Sequence, residues 1–123
     1  MSVMHIADAP KDLVHGSVII TPKPEFFEEI SAAFIKFGAQ VEANEPDTLV
    51  FSITKSEPAP GQEGPALLVI SVVFKNMAAA DAHRATSYHK EFTSHSKDVD
   101  KLLCIPEMKT LTPLGGYMRQ PSK

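Results

Sequence analysis

The sequence has few of the features that commit a chain to a special environment. Its 123 residues include no tryptophan and one cysteine, Cys104, so no disulfide can form within a single chain and a reducing compartment is expected. No apolar run approaches the ~20 residues of a membrane span. Residues 1–13 also lack the basic stretch and apolar core of a signal peptide. We therefore expect a cytoplasmic protein without a membrane partner.

Signals for nucleic acids, metals and nucleotides are also missing. The formal net charge is −3 with neutral histidines, which gives no basic surface for a nucleic acid. No phosphate-binding loop or dinucleotide fingerprint is present. His83, His89 and His95 are separated by steps of six residues, which scatters them around a helix, whereas metal ligands on one helix face lie four residues apart. The sequence thus predicts neither a metal nor any other cofactor.

What is present suits one small packed domain. Hydrophobic residues make up 43% of the chain and charged residues 22%, a balance that allows a core and disfavours disorder. Residues 1–13 form a polar lead-in with no clear period, and flexibility there is expected. The predicted domain covers residues 14–117, and residues 118–123 form a polar tail.

Strand and helix signals alternate along the domain. β-Branched and apolar runs between turn residues predict strands, and apolar residues at steps of three and four predict helices. The predicted strands span residues 14–21, 48–54, 66–74 and 108–114. The predicted helices span residues 24–42 and 77–101, the second with a break near residue 87. The order βαββαβ predicts an α+β fold of the ferredoxin-like type.

The third predicted strand, residues 66–74, is apolar on both faces apart from Ser71. The helices of a ferredoxin-like unit cover only one face of its sheet. A strand that is apolar on both faces needs a cover on each side, because a large exposed apolar patch is unfavourable in water. The sequence therefore predicts a homodimer formed through the sheets.

Two segments resemble the antibiotic biosynthesis monooxygenase family. Residues 45–51, EPDTLVF, are similar to its EPG-x-L-x-F/Y step, although Asp47 replaces the glycine. Residues 74–86, FKNMAAADAHRAT, are similar to its Y-K/D-D…A-x-x-x-H-x-x-S/T signature. The resemblance extends over residues 14–117, although Val72 stands where many members carry glutamate. The tryptophan used by the haem-degrading branch and by the best-known polyketide oxygenases is absent.

The resemblance implies a dimeric α+β barrel with a pocket between sheet and helices in each subunit. Members include oxygenases that use neither metal nor flavin and act on phenolic polyketides. Other members degrade haem, isomerise small metabolites or have no known activity. Because one fold serves several reactions, the resemblance alone does not choose among them.

His83 is the candidate catalytic residue. It lies in the second predicted helix beside Ala79 and Ala82, which leave room for a ligand, and an imidazole suits proton abstraction near neutral pH. We expect it to face the pocket; the alternative is a histidine that fills the helix–sheet interface. The candidate substrate-binding residues are His15, Phe27, Phe34, Thr86, Tyr88 and His89. For His15 the alternative is a hydrated strand histidine, and for the aromatic residues it is the core.

The function predicted from these residues and the resemblance is that of a cofactor-independent monooxygenase. Its substrates would be a small lipophilic or phenolic metabolite and dioxygen, and the first step would be proton abstraction. Two alternatives stay open. One is an isomerase or lyase that uses the same base without dioxygen, and the other is a non-catalytic dimeric protein that binds a ligand.

Overall fold

The computed structural model describes residues 3–5, 12–96 and 99–119. The strands are β1 (Val3–His5), β2 (Val14–Ile20), β3 (Thr48–Ser56), β4 (Leu67–Phe74), β5 (Glu107–Leu111) and β6 (Tyr117–Arg119). The helices are α1 (Phe27–Asn44), α2 (Met77–Ala85) and α3 (Ser87–Ser96), with short 3₁₀ turns at Pro24–Phe26 and Val99–Lys101. None of the helices in these ranges is long and apolar enough to cross a membrane.

Four of the strands form one antiparallel sheet in the order β3-β4-β2-β5. This arrangement, with α1 following β2 and α2 following β4, confirms the predicted ferredoxin-like α+β fold. The apolar strand β4 lies inside the sheet, where it pairs with β2 on one side and β3 on the other. The helices cover one of its two apolar faces, on which Leu68 and Ile70 are buried.

The core lies between the sheet and the helices. Side chains that pair across strands share a face, so Val18, Ile70 and Ile53 form one row facing the helices. The buried centre consists of Ile20, Phe34, Leu68 and Ile70. Partly buried hydrophobic residues that pack around this centre are Val18, Phe27, Ile30, Phe51, Ile53, Phe92 and Leu102.

The second predicted helix is divided in two, at the predicted position. Thr86 has extended backbone angles, φ −67° and ψ 150°, which end α2. Its hydroxyl donates to the carbonyl of His83 at 2.8 Å and accepts from the backbone N–H of His89 at 3.2 Å. One side chain thus satisfies polar groups of both helix ends, so the chain turns without leaving them unpaired.

Two features differ from the sequence prediction at the chain ends. Strand β5 ends at Leu111, before the predicted limit of residue 114. The predicted lead-in contributes β1, and the boundary between the predicted domain and tail contributes β6; the two strands pair with each other as a separate two-stranded sheet. Each has three residues, which is too short to produce a recognisable alternation in the sequence.

Gly38 lets α1 approach the sheet closely. A Cβ atom at this position would lie 3.2 Å from ring carbons of Phe51 in β3, which is closer than ordinary van der Waals contact. The helix continues through Gly38 to Asn44 without a break. The glycine therefore serves packing rather than helix termination.

We expect Leu68→Ala to destabilise the protein by about 2–5 kcal/mol, because it removes a side chain that is 2% exposed and leaves a cavity. The matched control is Leu49→Ala in β3, where the side chain is 52% exposed and the cost should stay below about 1 kcal/mol. Urea unfolding of the two variants measures both values. Equal losses would show that the core does not lie between β4 and the helices.

Candidate functional site

The carboxylate of Glu45 lies where physical chemistry disfavours one. Glu45 is the C-cap residue of α1, and its side chain is only 9% exposed. The C-terminal end of a helix carries partial negative charge, which repels an anion, and burial removes the water that would stabilise it. A buried carboxylate at this position therefore requires compensating hydrogen bonds.

Three side chains provide this compensation. The hydroxyl of Thr48 donates to Oε1 of Glu45 at 2.8 Å, and Nδ1 of His83 lies 2.7 Å from the same oxygen. The Tyr88 hydroxyl donates to Oε2. Burial opposes ionisation of Glu45, but the bonds from Tyr88, Thr48 and His83 outweigh it and hold its pKa below the usual 4.5. Glu45 is thus ionised at neutral pH.

The contact with Glu45 sets the protonation pattern of His83. An ionised carboxylate only accepts hydrogen bonds, so the Nδ1 atom of His83 that faces it carries a proton. The other nitrogen, Nε2, makes no hydrogen bond within the described part of the chain. Every fully buried side-chain nitrogen and oxygen atom there has a partner, so Nε2 is not fully buried, although the side chain of His83 as a whole is only 10% exposed. In the neutral imidazole this atom is a free base.

Aromatic rings surround the imidazole of His83. Its ring centroid lies 4.9 Å from that of His89, 5.2 Å from that of Phe74 and 5.7 Å from that of Phe37. Burial and the neighbouring His83 lower the pKa of His89. Burial and the hydrogen bond to Glu45 raise the pKa of Tyr88 to about 12, so its hydroxyl keeps its proton at neutral pH.

A cavity of about 390 Å³ opens beside this cluster, between α1, α3 and the 3₁₀ turn Val99–Lys101. Its apolar lining residues are Ile20, Ile30, Ala33, Phe34, Phe37, Phe92 and Leu102. Its polar lining residues are Glu29, Lys36, Gln40, Tyr88, Glu91 and Lys101. An ion pair between Lys101 and Glu29, with 3.2 Å between Nζ and Oε2, ties the 3₁₀ turn to α1. With seven apolar and six polar lining residues, the cavity suits a small, largely lipophilic ligand that also carries polar groups.

The structure brings together only part of the predicted site. Of the predicted residues, Phe34 and Tyr88 line the cavity, whereas Phe27 packs against the core. His83, His89 and Thr86 lie near one another behind Tyr88. His83 does not line the cavity, contrary to our expectation that it faces the pocket. The chain turns at Thr86, so that α3 rather than α2 forms this part of the cavity wall.

His15 lies apart from the other candidates. It pairs with Val73 of β4 and with Leu111 of β5. Val73 is an odd number of residues from Ile70, which faces the helices. Because side chains alternate between faces along a strand, Val73 and its partner His15 point to the opposite face of the sheet. The expectation that His15 lines the same pocket as His83 is therefore not met within one chain.

Sequence reasoning did not select Glu45, Thr48 or Phe37 for the site. Phe37 is a buried residue of α1, and its ring contacts those of His83 and Tyr88. Glu45 and Thr48 lie in the segment EPDTLVF, on which the family resemblance rests. That resemblance is the one sequence feature that could have pointed to them as site residues. Within residues 3–5, 12–96 and 99–119, no three histidine, cysteine, aspartate or glutamate side chains are grouped so that they could hold a metal ion.

Comparisons with known proteins agree with this fold. The family model described as "Antibiotic biosynthesis monooxygenase" matches residues 17–94. A search of curated protein sequences finds no match.

Among solved structures, a provisionally named antibiotic biosynthesis monooxygenase from Caulobacter crescentus shares 21% identity, with a TM-score of 0.69 over 85% of this chain and 92% of that one. One with the same provisional name from Bacteriodes thetaiotaomicron shares 23% identity, with a TM-score of 0.68 over 84% and 90% of the two chains. Rv0793 from Mycobacterium tuberculosis shares 17% identity, with a TM-score of 0.67 over 83% and 95%. At these identities the likeness establishes the fold alone.

We expect Glu45 to make the stability of the protein sensitive to acid. Its native pKa lies below the usual 4.5, so its contribution is fully present above about pH 4.5 and is lost as the pH falls through the native pKa. Glu45→Gln should therefore lower the free energy of unfolding near neutral pH, by an amount that shrinks as the pH falls. Urea unfolding at several pH values measures this difference. Glu42→Gln, one turn earlier in α1 and exposed, is the control and should show no such trend.

Proposed function

Because the chain belongs to the antibiotic biosynthesis monooxygenase family, we propose that it is a cofactor-independent monooxygenase acting on a small lipophilic or phenolic metabolite. The observation that carries this proposal is the state of His83. One imidazole nitrogen is bonded to the ionised Glu45, and the other is accessible and without a partner in the described residues. A general base requires a free nitrogen of this kind.

The proposed reaction begins with proton transfer from a substrate CH2 group to Nε2 of His83. The resulting carbanion gives one electron to dioxygen, and the two radicals combine to form a carbon–oxygen bond. The peroxide anion takes the proton back from His83. Removal of the second C–H proton then forms the carbonyl as the O–O bond breaks, and the hydroxide that leaves combines with that proton to give water. A methylene group and one dioxygen thus become a carbonyl and one water. The aromatic surroundings of His83 favour the step, because a dry site limits side reactions of the radicals.

The cavity beside Tyr88 supports a lipophilic substrate. Most of its lining side chains are apolar, and Tyr88 joins it to the cluster through the hydrogen bond to Glu45. Phe37 also lines the cavity and packs edge-on against His83, with 5.7 Å between the ring centroids. The proposed reaction therefore requires the Phe37 ring to move aside, so that a substrate bound in the cavity comes within hydrogen-bonding reach of Nε2 of His83.

A non-catalytic ligand-binding protein is the second candidate function. The observation that favours it is that His83 does not line the cavity, so a ligand can fill the cavity without touching the imidazole. In this case the contacts among Glu45, His83 and Tyr88 would serve only to hold α1, α2 and α3 together.

We also propose that the protein forms a homodimer through the face of its sheet that the helices leave open. The side chains of Ile19, Val69 and Val73 point to the face opposite the helices, because each directly precedes in sequence a buried residue that faces the helices. Val50 in β3 and Leu111 in β5 extend this apolar surface, and they are 45% and 47% exposed in a single chain. Covering such a patch favours association.

We expect light scattering to show a dimer at micromolar concentration. Val73→Asp should convert it to a monomer or an insoluble protein, because the substitution would place a charge in the centre of the apolar interface. Val73→Thr is the matched control, since it keeps the shape of valine without a charge. A stable monomeric wild type would contradict the proposed assembly.

We expect the metal-free protein to consume dioxygen with a suitable phenol, anthrone or lipophilic acid in an oxygen-electrode screen. His83→Gln should lower the turnover number by about 10²–10⁴-fold, the usual loss when a general base is removed. His89→Gln is the control on the adjacent helix and should cause a smaller loss. Unchanged turnover in His83→Gln would show that His83 is not the base, whereas no oxygen uptake by the wild type with any compound of the screen would favour the ligand-binding candidate.

A further inference from the structure

We propose that Glu45 is the positioning residue of this site. One carboxylate oxygen holds the His83 imidazole with its proton on Nδ1, and the other oxygen holds the hydroxyl of the cavity-lining Tyr88. The inference rests on the proposed role of His83 as a base, because Glu45 acts on the reaction only through His83.

The position of Glu45 argues against a purely structural role. A residue selected for stability alone would not put a carboxylate at the C-terminal end of α1, where the helix dipole opposes it. Burial adds a second cost, since the side chain is 9% exposed. Functional sites often contain a residue that is locally unfavourable, as Glu45 is at a buried helix C-terminus, and that several specific contacts stabilise.

The geometry of the carboxylate gives each oxygen a separate task. Oε1 accepts from Thr48 and from His83, so the acceptor for Nδ1 is itself held in place by a residue at the start of β3. Oε2 accepts from Tyr88. Because both oxygens are occupied, the carboxylate cannot rotate without losing bonds, and the imidazole plane is held with it.

Fixing the proton on Nδ1 has a direct chemical consequence. A neutral imidazole has one protonated and one basic nitrogen, and in water it favours the proton on Nε2. The Glu45 carboxylate reverses this preference, which leaves Nε2 as the basic atom at the accessible side. The carboxylate also stabilises the imidazolium that forms when Nε2 takes a proton from the substrate.

The test reads the protonated nitrogen of His83 directly and needs no substrate. In ¹⁵N-labelled protein, two-bond proton–nitrogen correlation spectra distinguish Nδ1–H from Nε2–H, and His83→Gln identifies the signal among the five histidines. We expect neutral His83 to carry its proton on Nδ1 in the wild type. In Glu45→Gln we expect part of this population to move to Nε2, because the charged acceptor is lost. Glu42→Gln, which removes an exposed carboxylate from the same end of α1, should leave the spectrum unchanged.

Turnover is the second measurement once a substrate is known. Glu45→Gln should lower the turnover number by at least about 10²-fold, since loss of the carboxylate that orients a catalytic histidine can cost about 10⁴-fold. Tyr88→Phe keeps the carboxylate, so it should retain the Nδ1–H signal of His83. A wild-type His83 protonated on Nε2 would overturn the proposal, even if Glu45→Gln failed to fold.

The outcomes separate this inference from the proposed function. Failure of the proposed function is a wild type without oxygen uptake, or an active His83→Gln variant. Failure of the inference is an Nε2–H signal in the wild type, or an unchanged His83 spectrum and turnover in folded Glu45→Gln. An Nδ1–H signal in an inactive protein would support the positioning of His83 and contradict only the assigned reaction.

Discussion

The buried carboxylate of Glu45 is the constraint on which the packing of α1, α2, α3 and the start of β3 depends. It ends α1, and its donors come from the start of β3, from α2 and from α3. An anion without water needs all of these donors, because each unsatisfied bond would cost about 1–3 kcal/mol or more. The positions of Thr48, His83 and Tyr88 are therefore coupled through one group, and a shift of any one of these elements affects the others.

The surrounding aromatic rings make this coupling stronger. The ring of Phe37 packs against the rings of His83 and Tyr88, the two aromatic partners of Glu45, and against that of His89. Burial raises the pKa of Tyr88 and opposes ionisation of Glu45, so the hydrogen bonds from Tyr88, Thr48 and His83 are what hold the pKa of Glu45 below its usual value. A hydrophobic helix stripe thus supports the polar cluster as well as the core.

The sheet separates two kinds of surface by the alternation of its side chains. On β4, Leu68 and Ile70 face the helices, while Val69 and Val73 face the open side. The first face packs against the helices and forms the core, and the second is the face through which we propose that two chains associate. The same alternation explains why His15, on β2, is far from the helix-side cluster.

Much of the fold could be predicted from the sequence because its signals are local. The strand predicted over residues 48–54 and the helix predicted over residues 24–42 rest on patterns set by the pitch of strands and helices, and the structure has β3 and α1 at these places. The break near residue 87 was also predictable. The short strands β1 and β6 were not, since three residues are too few to show a period.

The site was only partly predictable, because it depends on distant contacts. The sequence identified His83 and Tyr88 as candidates by residue type and family resemblance. Only the tertiary structure showed that Glu45, 38 residues before His83, lies within hydrogen-bonding distance of it. Likewise, only the packing of α3 against α1 decided that Tyr88 rather than His83 lines the cavity. Spacing along the chain determines which residues share a helix face, but contact between separate elements is determined by how those faces pack together.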